Sequence, residues 1–213
     1  MRIENLTVSH RDGVVFNNFN LEILDGQITS ILGASGAGKT TLLNAVLESA
    51  KKQNLTVSYA FQEPRLISHL SVLENLKLIG YEETEILNAL KKVGLESKIN
   101  AYPNHLSGGE KQRVNFARAF LFDSSVILLD EPFSSLDVKL KISLINLLVS
   151  EKQGKTIIFV THEIDEALML SNKIVLIENG KTKLELKIDK DFNKREYGKM
   201  NAEREILISA MKH

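Results

Sequence analysis

Gly33-Ala34-Ser35-Gly36-Ala37-Gly38-Lys39-Thr40 decides the fold of this chain. The stretch fits the pattern G-x-x-x-x-G-K-[ST]. Its glycines let backbone N–H groups turn toward an anion with no Cβ in the way. Gln27 to Leu32 before it reads as a buried strand, and Lys39 to Ser49 after it reads as a helix. A helix N-terminus placed there presents its positive end to a phosphate. Lys39 can reach the β- and γ-phosphates of a nucleotide, and Thr40 can ligate Mg²⁺. Thr41 belongs to the same binding turn. The competing reading is an ordinary glycine-rich turn, but a chance match in such a chain is on the order of 1%, and the strand–loop–helix context is also present.

Outward from the loop, buried apolar runs alternate with helical periodicity. Ile3 to Val8 and Phe19 to Ile23 alternate apolar and polar residues as strands do. Ser58 to Phe61, Val126 to Leu129 and Thr156 to Val160 are further strands, and Val138 to Val149 and Glu163 to Leu170 are helices. Lys173 to Ile177 and Lys183 to Ile188, around Asn179-Gly180, form a terminal hairpin, and the tail from Phe192 is helical. Buried strands alternating with helices predict an α/β fold with a parallel sheet. From Ser71 to about Phe122 the periodicity is helical and interrupts the alternation, so an inserted helical subdomain, about 66–122, is expected within one domain spanning 1–213.

Composition narrows the function classes. The 213 residues carry 27 Lys+Arg and 27 Asp+Glu, a net charge of zero, so a general electrostatic role on nucleic acid or anionic lipid is not indicated. There is no Cys, which excludes disulfides, thiolate catalysis and Cys-ligated metals. No uncharged apolar run approaches the ~20 residues that span a bilayer, so a membrane role is expected to come through a partner.

Two more motifs carry chemistry. Val126-Ile127-Leu128-Leu129-Asp130-Glu131 is a buried strand ending in two acids. The C-terminal ends of strands are where ligands sit in open α/β sheets. Asp130 is placed to hold Mg²⁺ and Glu131 to polarise an attacking water; a solvated acidic turn is the bland alternative. Leu106-Ser107-Gly108-Gly109-Glu110 opens a helix, with Ser107 as a natural N-cap and two glycines leaving the N-terminus bare. This second anion site lies 74 residues beyond the phosphate loop, which already has its own helix. It makes sense if it serves a nucleotide held by another subunit.

At these residues the chain resembles the ATP-binding cassette (ABC) ATPases, over essentially its whole length. Leu106–Glu110 is similar to the family's signature pentapeptide. The resemblance implies a P-loop NTPase, RecA-like core with an inserted helical subdomain and an N-terminal antiparallel β-subdomain. It implies ATP and Mg²⁺ as cofactors. Phe61-Gln62 resembles the glutamine loop, which gives Gln62 a role toward Mg²⁺ and the attacking water. Ser134-Ser135-Leu136-Asp137 resembles the segment that crosses the dimer interface, and Val160-Thr161-His162-Glu163 the one whose histidine contacts the γ-phosphate. Family members usually place an aromatic residue, often Tyr, about where His10 stands, 23 residues before Gly33. An imidazole can stack on adenine but with less area; a surface turn histidine is the alternative. Only 29 residues separate Gly33 from Gln62, fewer than is usual, so the antiparallel subdomain is expected to be trimmed.

The segments Gln62–Leu66, Val72–Leu76, Tyr102–His105 and Glu166–Leu168 are similar to importer ATPases of the nitrate/sulfonate/taurine type, with importers of thiamine precursors sharing these features. The resemblance implies an ATP-hydrolysing subunit that energises transport. It would work as a homodimer, or paired with a similar ATPase, on transmembrane permease subunits at the cytoplasmic face of the membrane. An extracytoplasmic substrate-binding protein would complete the system, and no nucleic acid is expected. Each ATP would lie between the phosphate loop of one chain and Ser107–Glu110 of the other. A soluble ABC ATPase, an exporter ATPase and a P-loop kinase are the competing classes. Repair ATPases need long coiled coils and translation ATPases a second cassette, and this chain has neither; a kinase would not need the signature.

Overall fold

The structure, a computed structural model, describes residues 1–10 and 13–212, and of His10 the backbone alone. Burial organises the main sheet. β3 (Ile28–Leu32), β5 (Val126–Asp130) and β6 (Thr156–Thr161) are buried along their whole lengths, as strands covered on both faces must be. The six-stranded sheet has the order β4-β5-β6-β3-β7-β8, where β4 is Val57–Ala60, β7 Lys173–Glu178 and β8 Lys181–Lys187. Every pair is parallel except β7–β8, the terminal hairpin.

Alternating side chains divide each strand between two packed layers. Val126, Leu128, Ile158, Val160 and Val175 face α1 (Lys39–Lys52), which contributes Leu42, Leu43 and Val46. The antiparallel pair β1 (Arg2–His10) and β2 (Gly13–Glu22) adds Phe16, Phe19 and Leu21 to the same layer. On the other face Ile127, Leu129, Ile157 and Phe159 meet α2 (Val72–Lys77), α3 (Glu83–Lys92), α4 (Gly108–Leu121) and α5 (Val138–Glu151), through residues such as Leu76, Leu90, Phe116 and Leu148. α6 (Ile164–Leu170) and α7 (Asn201–Lys212), with Met200 just before α7, cover Leu32, Ile174 and Leu176 through Ala167, Leu168 and Leu207.

The helices α2 to α4 lie between β4 and β5 and form the inserted helical subdomain. Ser71 and Glu74 cap α2 reciprocally, with the Glu74 N–H donating to Ser71 Oγ at 3.2 Å and the Ser71 N–H to Glu74 Oε2 at 2.7 Å. Gly94 takes φ +65° just past α3 and ends it. Among the described residues the antiparallel sheet has two strands, β1 and β2. Its trimming has a direct cause: α1 passes to β4 through residues 53–56, too short a connection for another strand.

The hairpin turn locks the two sheets together. Asn179 and Gly180 both have positive φ, 49° and 70°, as a tight hairpin turn with right-handed strand twist requires. A Cβ on Gly180 would sit 2.0 Å from the Val15 carbonyl oxygen of β2. Gly180→Ala is therefore expected to cost about 2 kcal/mol or more, from left-handed strain plus the forced separation of β2 from the hairpin. A thermal melt should show a drop of about 5 °C; an unchanged melting temperature would contradict this packing.

Candidate functional site

Four loops meet at the C-terminal edge of the sheet, one each from β3, β4, β5 and β6. Those loops carry Gly33–Thr40, Phe61-Gln62, Asp130-Glu131 and Thr161-His162. The strand order puts β3, β6, β5 and β4 side by side, so site residues as far apart in sequence as Gly33 and His162 converge at one edge.

The phosphate loop ends in Gly38, which is the N-cap of α1 at φ +91° and supplies no capping side chain. The first turn of α1 contains no acidic residue, so its N–H groups face the loop with nothing anionic of their own helix beside them. A Cβ on Gly38 would meet Val15 Cγ1 at 2.6 Å and the Phe16 ring at 3.0 Å, so β2 presses directly on the loop. Lys39 is 6% exposed, and its ammonium donates to the carbonyls of Gly33 and Ala34, both at 3.0 Å. The cation is thus held across the mouth of the loop. Ala34, Ser35 and Gly36 are exposed and Ala37 half-buried.

Glu131 is the centre of the second layer of the site. Its Oε1 lies 3.6 Å from Lys39 Nζ and 3.3 Å from His162 Nδ1, and Gln62 Nε2 donates to Oε2 at 3.4 Å. Its backbone is left-handed, φ +45°, a conformation that costs a non-glycine residue about 1 kcal/mol or more. Neighbours hold it there. The Glu131 N–H donates to the Val160 carbonyl at 3.1 Å, and its carbonyl accepts from Ser134 Oγ at 3.0 Å and Gln112 Nε2 at 3.4 Å. The bent backbone turns the carboxylate away from the strand axis and toward the phosphate loop.

Asp130 is buried, 3% exposed, and Tyr59 donates its hydroxyl to Oδ2 at 3.5 Å. Its Oδ1 is a buried oxygen with no hydrogen-bond partner among the described residues. Burial pushes the Asp130 carboxyl above its ordinary range and Glu131 adds to this, while hydrogen bonds from Thr40 and Tyr59 and the charge of Lys39 act in the opposite direction. An orphaned carboxylate oxygen beside a threonine hydroxyl is an oxygen donor set suited to Mg²⁺.

Ser107 and Glu110 form a capping box on α4: the Glu110 N–H donates to Ser107 Oγ at 3.2 Å and the Ser107 N–H to Glu110 Oε2 at 2.8 Å. That backbone bond and the Lys98 ammonium hold the Glu110 carboxyl below its ordinary range. Ser107 and Gly108 are exposed. Gly109 packs on the 134–137 segment, where an added Cβ would lie 3.2 Å from Leu136 and 3.4 Å from the Ser135 carbonyl. Asp137, exposed, caps α5 by accepting from the Leu140 N–H at 3.0 Å. So Ser107–Glu110 and Asp137 share one surface, while the phosphate loop packs on β2 and β7 through Gly38 and Gly33. The chain gathers Lys39, Thr40, Gln62, Asp130, Glu131 and His162 at one place and sets the signature with the 134–137 segment. The expectation for His10 concerns a side chain outside the described residues.

Several supporting residues escaped the sequence reading. Asn115 donates to the Phe61 carbonyl at 2.7 Å, and Arg118 to the Arg65 carbonyl at 3.0 Å, so α4 grips the loop that carries Gln62. Burial pushes the Arg118 guanidinium below its ordinary range. The available signal was Gln112 and Asn115, polar residues set among the buried positions of α4.

A phosphate-cradling loop, a buried carboxylate beside its threonine and a second acid aimed at its lysine define a P-loop nucleoside triphosphatase. Residues 16–134 match the family profile described as ABC transporter. The chain is 37% identical over 204 residues to the aliphatic sulfonates import ATP-binding protein SsuB 2 of Streptomyces avermitilis, covering 89% of this chain and 81% of that one. It is equally 37% identical over 186 residues to SsuB 1 of Pseudomonas syringae pv. tomato, covering 82% and 69%. Two solved dimeric structures of the ABC cassette MJ0796, one bound to ADP and Pi, superpose with TM-scores of 0.80 and 0.79 at 29% and 30% identity, each covering 89% of this chain and 99% of the other. The chain belongs to the ABC transporter family, and it is the ATP-binding, ATP-hydrolysing subunit that energises transport.

Proposed function

We propose that this subunit drives import of aliphatic sulfonates or of a related nitrate-, taurine- or thiamine-precursor-type substrate. The convergence of Lys39, His162 and Gln62 on the Glu131 carboxylate carries the hydrolytic part of the reading. The names of the curated relatives support the substrate class.

In this reading the N–H groups of Gly33–Thr41 cradle the phosphates and Lys39 faces the β- and γ-phosphates. Thr40, Asp130 and Gln62 would hold Mg²⁺, which supplies charge neutralisation on the phosphates when bound. Glu131 accepts a proton from a water whose oxygen attacks the γ-phosphorus; the bond to the β–γ bridging oxygen breaks and ADP leaves. His162 contacts the γ-phosphate. Ser107, Gly108, Gly109 and Glu110 of a second copy close the site from the other side, with Asp137 at the interface, and His10 stacks on adenine.

Two copies would sit on permease subunits at the cytoplasmic face of the membrane and serve an extracytoplasmic substrate-binding protein. Among the described residues no helix is long and apolar enough to cross a membrane, consistent with peripheral attachment through the permease. Residues 66–122 would form a helical subdomain inserted within a single 1–213 domain. The deciding experiment is affinity purification of the chain from detergent-solubilised membranes, followed by reconstitution. A multi-spanning partner should co-purify, and the complex in proteoliposomes should hydrolyse ATP faster when its binding protein presents an aliphatic sulfonate. Absence of a membrane partner would overturn the transport reading, and stimulation by another substrate alone would overturn the sulfonate assignment.

A further inference from the structure

We propose that Lys141 is a positioning residue that clamps the backbone on both sides of His162 and ties it to the helix capped by Asp137. This rests on the reading of His162 and Asp137 given above.

Lys141 stands one turn into α5, and its N–H donates to the Asp137 carbonyl at 2.9 Å. Its side chain is 6% exposed, and the ammonium meets Glu163 Oε2 and Glu166 Oε1, each at 2.7 Å. The other Glu166 oxygen accepts from Thr161 Oγ1, and that hydroxyl accepts from the Glu163 N–H at 3.0 Å. Glu163 Oε2 also accepts from the Tyr197 hydroxyl at 3.3 Å, which brings the C-terminal segment into the node. The residues immediately before and after His162 therefore both lead to one ammonium.

His162 needs this from its surroundings. Its side chain is half exposed, and it reaches Glu131 across a 3.3 Å gap. Such a ring is aimed by its backbone, and the backbone is set by Thr161 and Glu163. On the other side, Lys141 lies a single helical turn from Asp137, beside the Ser135-Leu136 surface on which Gly109 packs. A shift of that surface has a short covalent and ionic route to the histidine. A buried ionic node is also a poor way to gain stability, since well-packed apolar side chains commonly do as well; what it supplies is fixed geometry.

The test replaces Lys141 by Met, which keeps the stem and removes the charge, and by Arg, which keeps the charge. Lys141→Met should lower kcat about a hundredfold, the scale on which an ångström of misplacement acts, with KM for ATP unchanged. Lys141→Arg should restore most of the turnover. In a His162→Ala background Lys141→Met should cost nothing further, because it acts through that histidine. Lys141→Met combined with Glu166→Gln removes the two buried charges, leaving only the part-exposed Glu163 carboxylate, and guards against misfolding: its melting temperature should return toward that of the parent while kcat stays low. Recovery of kcat together with stability would assign Lys141 a purely structural role and overturn the inference. So would full activity of Lys141→Met, or losses that multiply in the double variant. Full activity of His162→Ala would instead overturn the underlying reading of the site.

Discussion

Glu131→Gln is expected to lower ATP turnover by about 10²–10⁴-fold, the usual contribution of a general base, while ATP still binds. The amide keeps the volume of the side chain and its place beside Gln62 and His162, 3.4 and 3.3 Å away. It cannot take a proton from water at neutral pH. Binding survives because Lys39 is held by the Gly33 and Ala34 carbonyls and does not depend on Glu131 for its position. The variant should accumulate as an ATP-bound dimer, visible by size-exclusion chromatography with ATP present and lost with ADP. Turnover near that of the parent would remove Glu131 from the catalytic role and leave its left-handed backbone without a functional explanation.

The second large effect is recovery of activity from two dead chains. Lys39→Ala deletes the cation facing the phosphates, so it should weaken ATP binding itself in a titration. Ser107→Arg destroys the capping box and crowds the exposed end of α4. Each variant alone should be inactive. In a mixture, the heterodimer has one site with both lesions and one with neither, and part of the parent's activity should return. The geometry behind this is the separation of surfaces within one chain: the signature packs with Ser135 and Leu136, whereas the phosphate loop packs with Val15, Phe16 and Ile177. In the proposed dimer the helix N-terminus on that second surface would serve another copy's nucleotide, neutralising its charge from both sides. Proven heterodimers that stay inactive would count against a shared site, and activity of a proven monomer that is independent of concentration would refute it.

Local signals account for much of this protein. The phosphate loop was legible because its chemistry leaves few substitutes: glycine where an anion meets backbone, lysine where charge must reach it, threonine beside the carboxylate site. The buried strands were legible because a strand covered on both faces must be apolar, as in Val126–Leu129 and Thr156–Val160. The start of α4 was readable at Ser107, because an N-cap serine sits directly before the helix it caps; that Glu110 closes a reciprocal box with it is what the structure adds. The shortened stretch between Gly33 and Gln62 announced a small antiparallel sheet, because four residues between α1 and β4 cannot hold another strand. Contacts that close over long separations were not legible. The sequence places Gln62, Glu131 and His162 far apart; the order β4-β5-β6-β3 makes them neighbours. The left-handed backbone of Glu131 is held by Ser134 in its own turn and, from distant segments, by Val160 of β6 and Gln112 of α4. The sequence does not mark Lys141 as anything but one lysine among many. Its burial against Glu163 and Glu166, with Tyr197 joining through Glu163, is decided by how α5, α6 and the C-terminal segment pack, and a charge pair has no sequence spacing of its own until the fold supplies one.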